Sequence, residues 1–405
     1  GSSNFGGHKQ TGIVYQDSSV VVTEANQESR ILTFDDNGLL TSVTGGNCGQ
    51  CGNSDVARYG YDANNQLISK TDFNGVETRY EYNSRGLQTK RTEAYGTALA
   101  RVTTTEWHPE LALPVTVTSP SKQTAYVYGV RGRLQSITET DLLAAASPQR
   151  VTRYSYHKSG LLASIDGPRT DVSDITTFAY NASYDLISTT DAAGNITRVT
   201  GYDAHGQPTT VVDANGVVTN LTYDVRNRLI SQEVDGNVTR FGYDNLGQLI
   251  RVSLPLGAVT NYSYNGARLL TSMSDGLGNS IHYRHDVMGN VIKVEVKDPL
   301  GVLYASQQQV FDGLNRLTSQ IDGLNQITTL GYDSVGNRVS IKTPALKETR
   351  QVYDALNRLS QTLDAKAGKT SYGYDAADNL ISVTAPNQAV TRYSYDGFGN
   401  LLSQI

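Results

Sequence analysis

The sequence predicts an all-β fold: antiparallel hairpins of about 21 residues each, repeated along the chain and curling into a spiral. Three observations predict it. First, a Tyr followed by Asp or Asn recurs at Tyr61, Tyr82, Tyr180, Tyr202, Tyr223, Tyr243, Tyr264, Tyr332, Tyr353, Tyr374 and Tyr395, and a fixed period of this size marks a repeat architecture. Second, the residues before each anchor alternate with period two, as on a strand. Third, no stretch of ten or more residues carries a strong helical pattern, and the Ala-rich segment 142–147 is long enough only for a helical turn in an insertion.

Weaker copies fill the gaps at Phe34, Trp107, Tyr128, Tyr156, His285 and Phe311, giving 17 anchors. Position +6 is Leu or Val in 14 of the 17 and fixes the register; Gln88, Pro208 and Arg338 break it, so those units are expected to be irregular. Residues 374–395 show one unit in order. Tyr374-Asp375-Ala376-Ala377-Asp378-Asn379 is a turn in which Asx side chains can bond backbone N–H groups. Leu380-Ile381-Ser382-Val383-Thr384 is a short strand rich in β-formers. Ala385-Pro386-Asn387-Gln388 is a second turn, and 389–395 is a second strand. Elsewhere that second turn is often Asp-x-x-Gly, as at Asp72 to Gly75 and Asp213 to Gly216, the composition of a type I turn.

The anchor often has an aromatic two residues before it, as in Tyr59/Tyr61 and Phe241/Tyr243. One face is therefore expected to carry a two-wide ladder of rings paired across strands. Each hairpin adds about 9.6 Å, so 17 would make a strip on the order of 160 Å long. Open twisted sheets rarely exceed about 10 strands. With no helix to cover a face, the strip must curl.

Net charge is −5 with scattered basic residues, which is no electrostatic footprint for nucleic acid. No apolar run approaches the ~20 residues of a membrane-spanning helix. Asp recurs at equivalent turn positions, as turn chemistry requires, and not as paired catalytic acids. No nucleophile elbow, phosphate loop or His-Glu-x-x-His occurs, so no catalytic or cofactor-binding residue is assigned. Cys48-Gly49-Gln50-Cys51 is the one local oddity. It admits a turn-closing disulfide or free thiols, half of a zinc site, or redox chemistry. His282 and His285 are three apart on a strand and should face opposite sides, against a shared metal.

The Tyr-Asp-x-x-Gly-x-Leu scheme, clear at Asp396-Gly397-Phe398-Gly399-Asn400-Leu401, resembles the RHS or YD repeat over residues 30 to 405. That family includes bacterial polymorphic toxins, the B and C components of insecticidal toxin complexes, wall-associated proteins and teneurins. The resemblance implies a hollow spiral shell, which in toxin members encloses a C-terminal toxin. The toxin members close with Asp-Pro-x-Gly motifs and self-cleavage. The only such string here, Asp298-Pro299-Leu300-Gly301, lies mid-chain with five anchors after it, so no cleavage role is carried onto it. The expected organisation is a tag or disordered leader at 1–11 and a single array at 12–405, read as a fragment without closing core or C-terminal domain. The expected function is a non-enzymatic shell for a secreted bacterial toxin, its partners being its own toxin cargo or secretion machinery. The alternative is a cell-surface adhesion array whose aromatic rows stack on glycans.

Overall fold

The computed structural model describes residues 11–24, 29–45 and 56–405. Among the described residues thirty-six strands, numbered β1 to β36 in chain order, form one sheet. Each pairs antiparallel with its neighbours in sequence, from β1 (Gly12–Gln16) to β36 (Leu401–Gln404). Among the described residues the only helical pieces are two three-residue 3-10 turns, Val130–Gly132 and Pro255–Gly257, both inside hairpin loops.

The unit is built from two loops of one kind. β5 (Val56–Tyr61) ends at its anchor, and β6 (Leu67–Thr71) begins at position +6. In the loop between them Asp62 Oδ1 accepts the N–H groups of Asn64 and Gln66, both at 2.9 Å. Asn65 adopts φ +64°, the left-handed geometry that Asn and Gly tolerate. At the other end Asp72 Oδ1 accepts from Asn74 and Val76 in the same way, and Gly75 takes φ +82°. β7 (Glu77–Tyr82) returns to the next anchor. Strands of five and six residues and two such loops make the 21-residue period. We call the loop after the anchor the first loop and the other the second loop.

All 17 anchors end a strand. Each also faces a β-bulge. Tyr61 pairs with Leu67 but Gly60 pairs with Ser69, leaving Ile68 as an extra residue. The same shift recurs at every anchor, for example Tyr243 with Leu249 and Tyr374 with Leu380. A bulge bends its strand and increases the local twist. Repeated once per hairpin, it accounts for the curl. At four units the bulged residue is a Thr or Ser whose hydroxyl donates to the carbonyl before the anchor: Thr41 to Thr33, Thr89 to Glu81, Thr318 to Val310 and Ser360 to Val352.

The curl closes on itself. Asn74 donates to Asp333 across 259 residues, and Arg101 to Asp378 across 277. One turn of the coil thus takes about twelve or thirteen hairpins, a backbone bore on the order of 35–40 Å across. Among the described residues the buried apolar side chains are Ala57 and Ala94 alone. The accessible surface is 24378 Å², against roughly 15,000 Å² for a compact monomer of this mass. The described residues form a single-layer, hollow spiral with no packed core among them.

Three expectations are corrected. Segment 142–147 is a non-helical bend, because Asp141 Oδ1 takes the Leu143 and Ala144 N–H groups and Ser147 turns to φ +43°. The units at Gln88 and Pro208 do carry a second register shift. The unit at Arg338 does not, because Arg338 pairs with Tyr332 through the ordinary bulge alone. Finally, the rings do not form a ladder of cross-strand ring pairs. Among the described residues Tyr126 and Tyr128 stack at 6.4 Å within one strand, and His157 meets Tyr180 edge-on at 5.6 Å.

Candidate functional site

The wall itself is the candidate site, and its cohesion starts at the anchors. Tyr243 Oη donates to the Leu229 carbonyl at 2.9 Å. Leu229 is position +6 of the preceding unit, so each hydroxyl staples one hairpin to the one before. Tyr61, Tyr82, Tyr156, Tyr202, Tyr223, Tyr264, Tyr332, Tyr353 and Tyr374 do the same at 2.5–3.1 Å, and Tyr128 reaches the Pro114 carbonyl, at +7 of its preceding unit. The Trp107 indole N–H reaches the Gln88 carbonyl. Tyr180 and Tyr395 end β15 (Ile175–Tyr180) and β35 (Val390–Tyr395). Burial pushes the phenols of Tyr61, Tyr82 and Tyr264 above the usual tyrosine range.

A second staple sits at position +5, just before the register Leu. Arg358 Nε donates to Asp354 of its own loop at 2.9 Å and its Nη1 to the Asp375 carbonyl of the next unit at 2.8 Å. Its guanidinium lies 4.8 Å from the centroid of the next anchor, Tyr374. Arg228 and Arg316 repeat this clamp on Tyr243 and Tyr332. At Asn290 and Asn337 the side-chain amide bridges its own Asp and an Asn of the next loop, whereas Asn379 and Asn400 bond the Asp of their own loop. Arg228 holds the Asp224 carboxyl down to about 2. The amides of Asn195 and Asn279 lower Asp191 and Asp275.

These staples escaped the sequence reading, yet they left a signal. Tyr outnumbers Phe 25 to 7, an excess that ring packing alone does not require. The +5 position is Arg, Asn or Gln in 11 of the 17 units, residues that share a long or forked donor.

The seam between successive coil turns is the second structural feature. First loops of late units meet second loops of early ones. Asp378 receives Arg101 and Arg358 together, at 2.5 and 3.0 Å. Asp141, wholly buried, packs against the backbone of Gly397. A Cβ on Gly397 would clash with Asp141 Oδ1 and the Ser121 carbonyl, so only glycine fits. The Arg150 guanidinium lies 4.0 Å above the Phe398 ring. A cleft of about 180 Å³ opens on the seam among Lys70, Asp72, Glu93, Arg101 and Leu356. That is below the roughly 300 Å³ of a small-molecule pocket.

Among the described residues no three His, Cys, Asp or Glu side chains gather as a metal site. Cys48 and Cys51 lie outside the described residues. His282 bonds Ser280 at 3.1 Å. No helix among the described residues is long and apolar enough to cross a membrane.

The comparisons agree with this geometry. The teneurin YD-shell family model matches residues 169–404 and the RHS-repeat model residues 61–98. The double-stranded DNA deaminase toxin A of Burkholderia cenocepacia is 32% identical over 122 residues, covering 29% of this chain and 8% of that protein. Toxin protein Tse5 of Pseudomonas aeruginosa is 30% identical over 161 residues, covering 35% of this chain and 12% of that protein. The crystal structure of TcdB2-TccC3 superposes with a TM-score of 0.71 at 16% identity, over 97% of this chain and 25% of that one. The chain therefore spans about a tenth of the curated relatives and a quarter of the solved structure.

Proposed function

From the premise that this chain belongs to the teneurin YD-shell family of RHS/YD-repeat proteins, we propose that it is a wall segment of a bacterial toxin shell, enclosing a toxin polypeptide in its bore for secretion and delivery. The observation that carries this reading is the closed seam around a solvent-filled bore. A wall serves containment only if successive turns seal, and here they do so through charged, hydrogen-bonded contacts. The toxin names of both relatives support the same assignment. The role asked of the wall is exclusion rather than chemistry, which fits an array whose carboxylates are spent on its own loops. Adhesion through sugar stacking is less well supported, because the anchor rings are half-buried with their hydroxyls turned into neighbouring backbone.

The test is protease protection in a polypeptide that carries the shell together with a toxin domain. The toxin segment should survive digestion while the native wall stands, and become cleavable when Gly397→Arg forces the seam apart. Equal cleavage before and after that change would contradict containment.

A further inference from the structure

The coil is held by two kinds of contact. Along the ribbon each strand bonds its neighbour in sequence through a backbone ladder, as β5 does β6 and β6 does β7. Across the seam, among the described residues, no strand of one coil turn pairs with a strand of the next. The polar contacts there are side chains of loops and strand ends: Asn74 with Asp333 at 3.2 Å, Arg101 with Asp378 at 2.5 Å and Arg150 with Asp396 at 3.9 Å. In each the late unit supplies a carboxylate and the early unit an amide or a cation. The wall can therefore part along the seam without breaking one ladder bond.

Parting also strands no ion at the central contact. Arg101, which opens β9 (Arg101–Trp107), is held by Glu93 of its own hairpin at 2.8 Å. Asp378 is held by Arg358 of its own coil turn at 3.0 Å. Each keeps that partner when the pair between them breaks, so the usual penalty of an unpaired charge does not arise. Asp141 gains from parting. It is wholly buried and its Oδ2 has no hydrogen-bond partner, a costly state that contact with water relieves. Packing adds little to closure. Where Leu356 faces Val76 and Ala94, the seam holds its cleft in place of close contact.

We propose that the seam is an ionic slit: the coil opens along it with every hairpin intact, and salt controls the opening. The side chains that close it stay partly in water, with 46% of Asp378 and 40% of Arg150 exposed, so their attraction is screened. Screening shifts the balance towards the open slit, and removing the salt closes it again. Under the containment reading the slit is the exit for the content. The opening itself is a property of the wall alone, so it stands or falls without a cargo.

Spin labels at Thr97 and Ala376, with Cys48 and Cys51 replaced by Ser, flank the central pair of Arg101 and Asp378. Labels at His205 and Leu246, two hairpins apart in one coil turn, report the ribbon. Sodium chloride is raised from about 0.1 to about 1 M, which shortens the screening length from about 10 to about 3 Å. The seam pair should gain a population at least about 10 Å longer, two strand spacings, while the ribbon pair and the circular dichroism stay unchanged. Arg101→Gln should raise the open-to-closed ratio on the order of tenfold at about 0.1 M salt, the loss of one charged hydrogen bond. Its ratio should also climb less steeply with salt, because the pair being screened is gone. Arg153→Gln, in mid-strand in β13 (Gln149–Tyr156) and paired inside the ribbon with Asp166, should match wild type. A wild-type seam distance that holds to about 1 M salt would overturn the proposal. So would lengthening that comes only with loss of the β signal or a change in the ribbon pair, since the coil would then open by unfolding. An Arg101→Gln variant with the salt dependence of wild type would show that the seam is not ionic.

Discussion

Replacing Tyr243 in two steps separates the hydroxyl staple from the ring. Tyr243→Phe removes only the 2.9 Å bond to the Leu229 carbonyl. A net intramolecular hydrogen bond is worth about 0.5–1.5 kcal/mol, so about 1 kcal/mol is expected. Tyr243→Ala also removes the ring and its contact with the Arg228 guanidinium at 4.5 Å. Truncating a fully buried ring costs roughly 3–5 kcal/mol. This one is half-buried, so about 2 kcal/mol is expected for the ring and about 0.5–1 kcal/mol for the cation–π contact. The total for Ala is then about 3–4 kcal/mol. Equilibrium denaturation gives the global loss, and amide exchange across 219–253 locates it, because each hairpin rests on its sequence neighbours. A Phe variant as stable as wild type would show that the staple contributes nothing. An Ala variant within a few tenths of wild type would remove the anchor from the account of cohesion altogether.

Three further outcomes are expected. Arg358→Ala should cost about 2 kcal/mol, since it breaks charged bonds to Asp354, Asp375 and Asp378 from a largely buried side chain; Arg350→Ala, in an exposed pair, should leave the midpoint close to wild type in the same denaturation assay. Stability should be flat near neutral pH and fall at both ends. Asp224 and its equivalents have lowered folded pKa values, so their contribution is present above about pH 4 and lost as pH falls towards about 2; the buried phenols have raised values, so theirs is present below about pH 10 and lost above it, and melting scans from pH 2 to 11 read both limbs. Gly397→Ala should disrupt the Asp141 contact and speed proteolysis at the seam loops 94–101 and 141–149 while leaving the far hairpins around Tyr202 unchanged; an unaltered cleavage pattern would show that this glycine does not lock the seam.

Most of the fold was legible because a strand-turn repeat writes itself in local chemistry. Tyr61 ends a strand, Asp62 caps a loop and Leu67 opens the next strand because those residue types favour those geometries. The same rules failed where partners were not local. Period-two alternation names a face but is silent about an extra residue, so the bulge at Ile68 was invisible although it bends every unit. The rings were expected to meet each other, whereas Tyr243 finds a backbone carbonyl 14 residues earlier. The pairing of Asp141 with Gly397 depends on the coil pitch, a sum of small rotations over a dozen hairpins that no short motif encodes. Arg338 broke the pattern at +6 without consequence, because only its backbone takes part in the bulge.

Spin-label distances test most directly that the ribbon curls into a hollow coil. With Cys48 and Cys51 replaced by Ser, three pairs of exposed loop sites are needed. Thr97 with Ala376 spans the seam beside Arg101 and Asp378, and should read below about 20 Å, whereas a flat ribbon would put these sites about 120 Å apart. Asn74 with Asn215, and Ala146 with Asn279, each lie about half a turn apart on crossed diameters, and both should read roughly 35–40 Å. A short seam distance with both diameters open is the predicted result. A collapse of either diameter towards the ~10 Å of two packed sheets would contradict it, because the chain would then be a solid sandwich with no space to enclose.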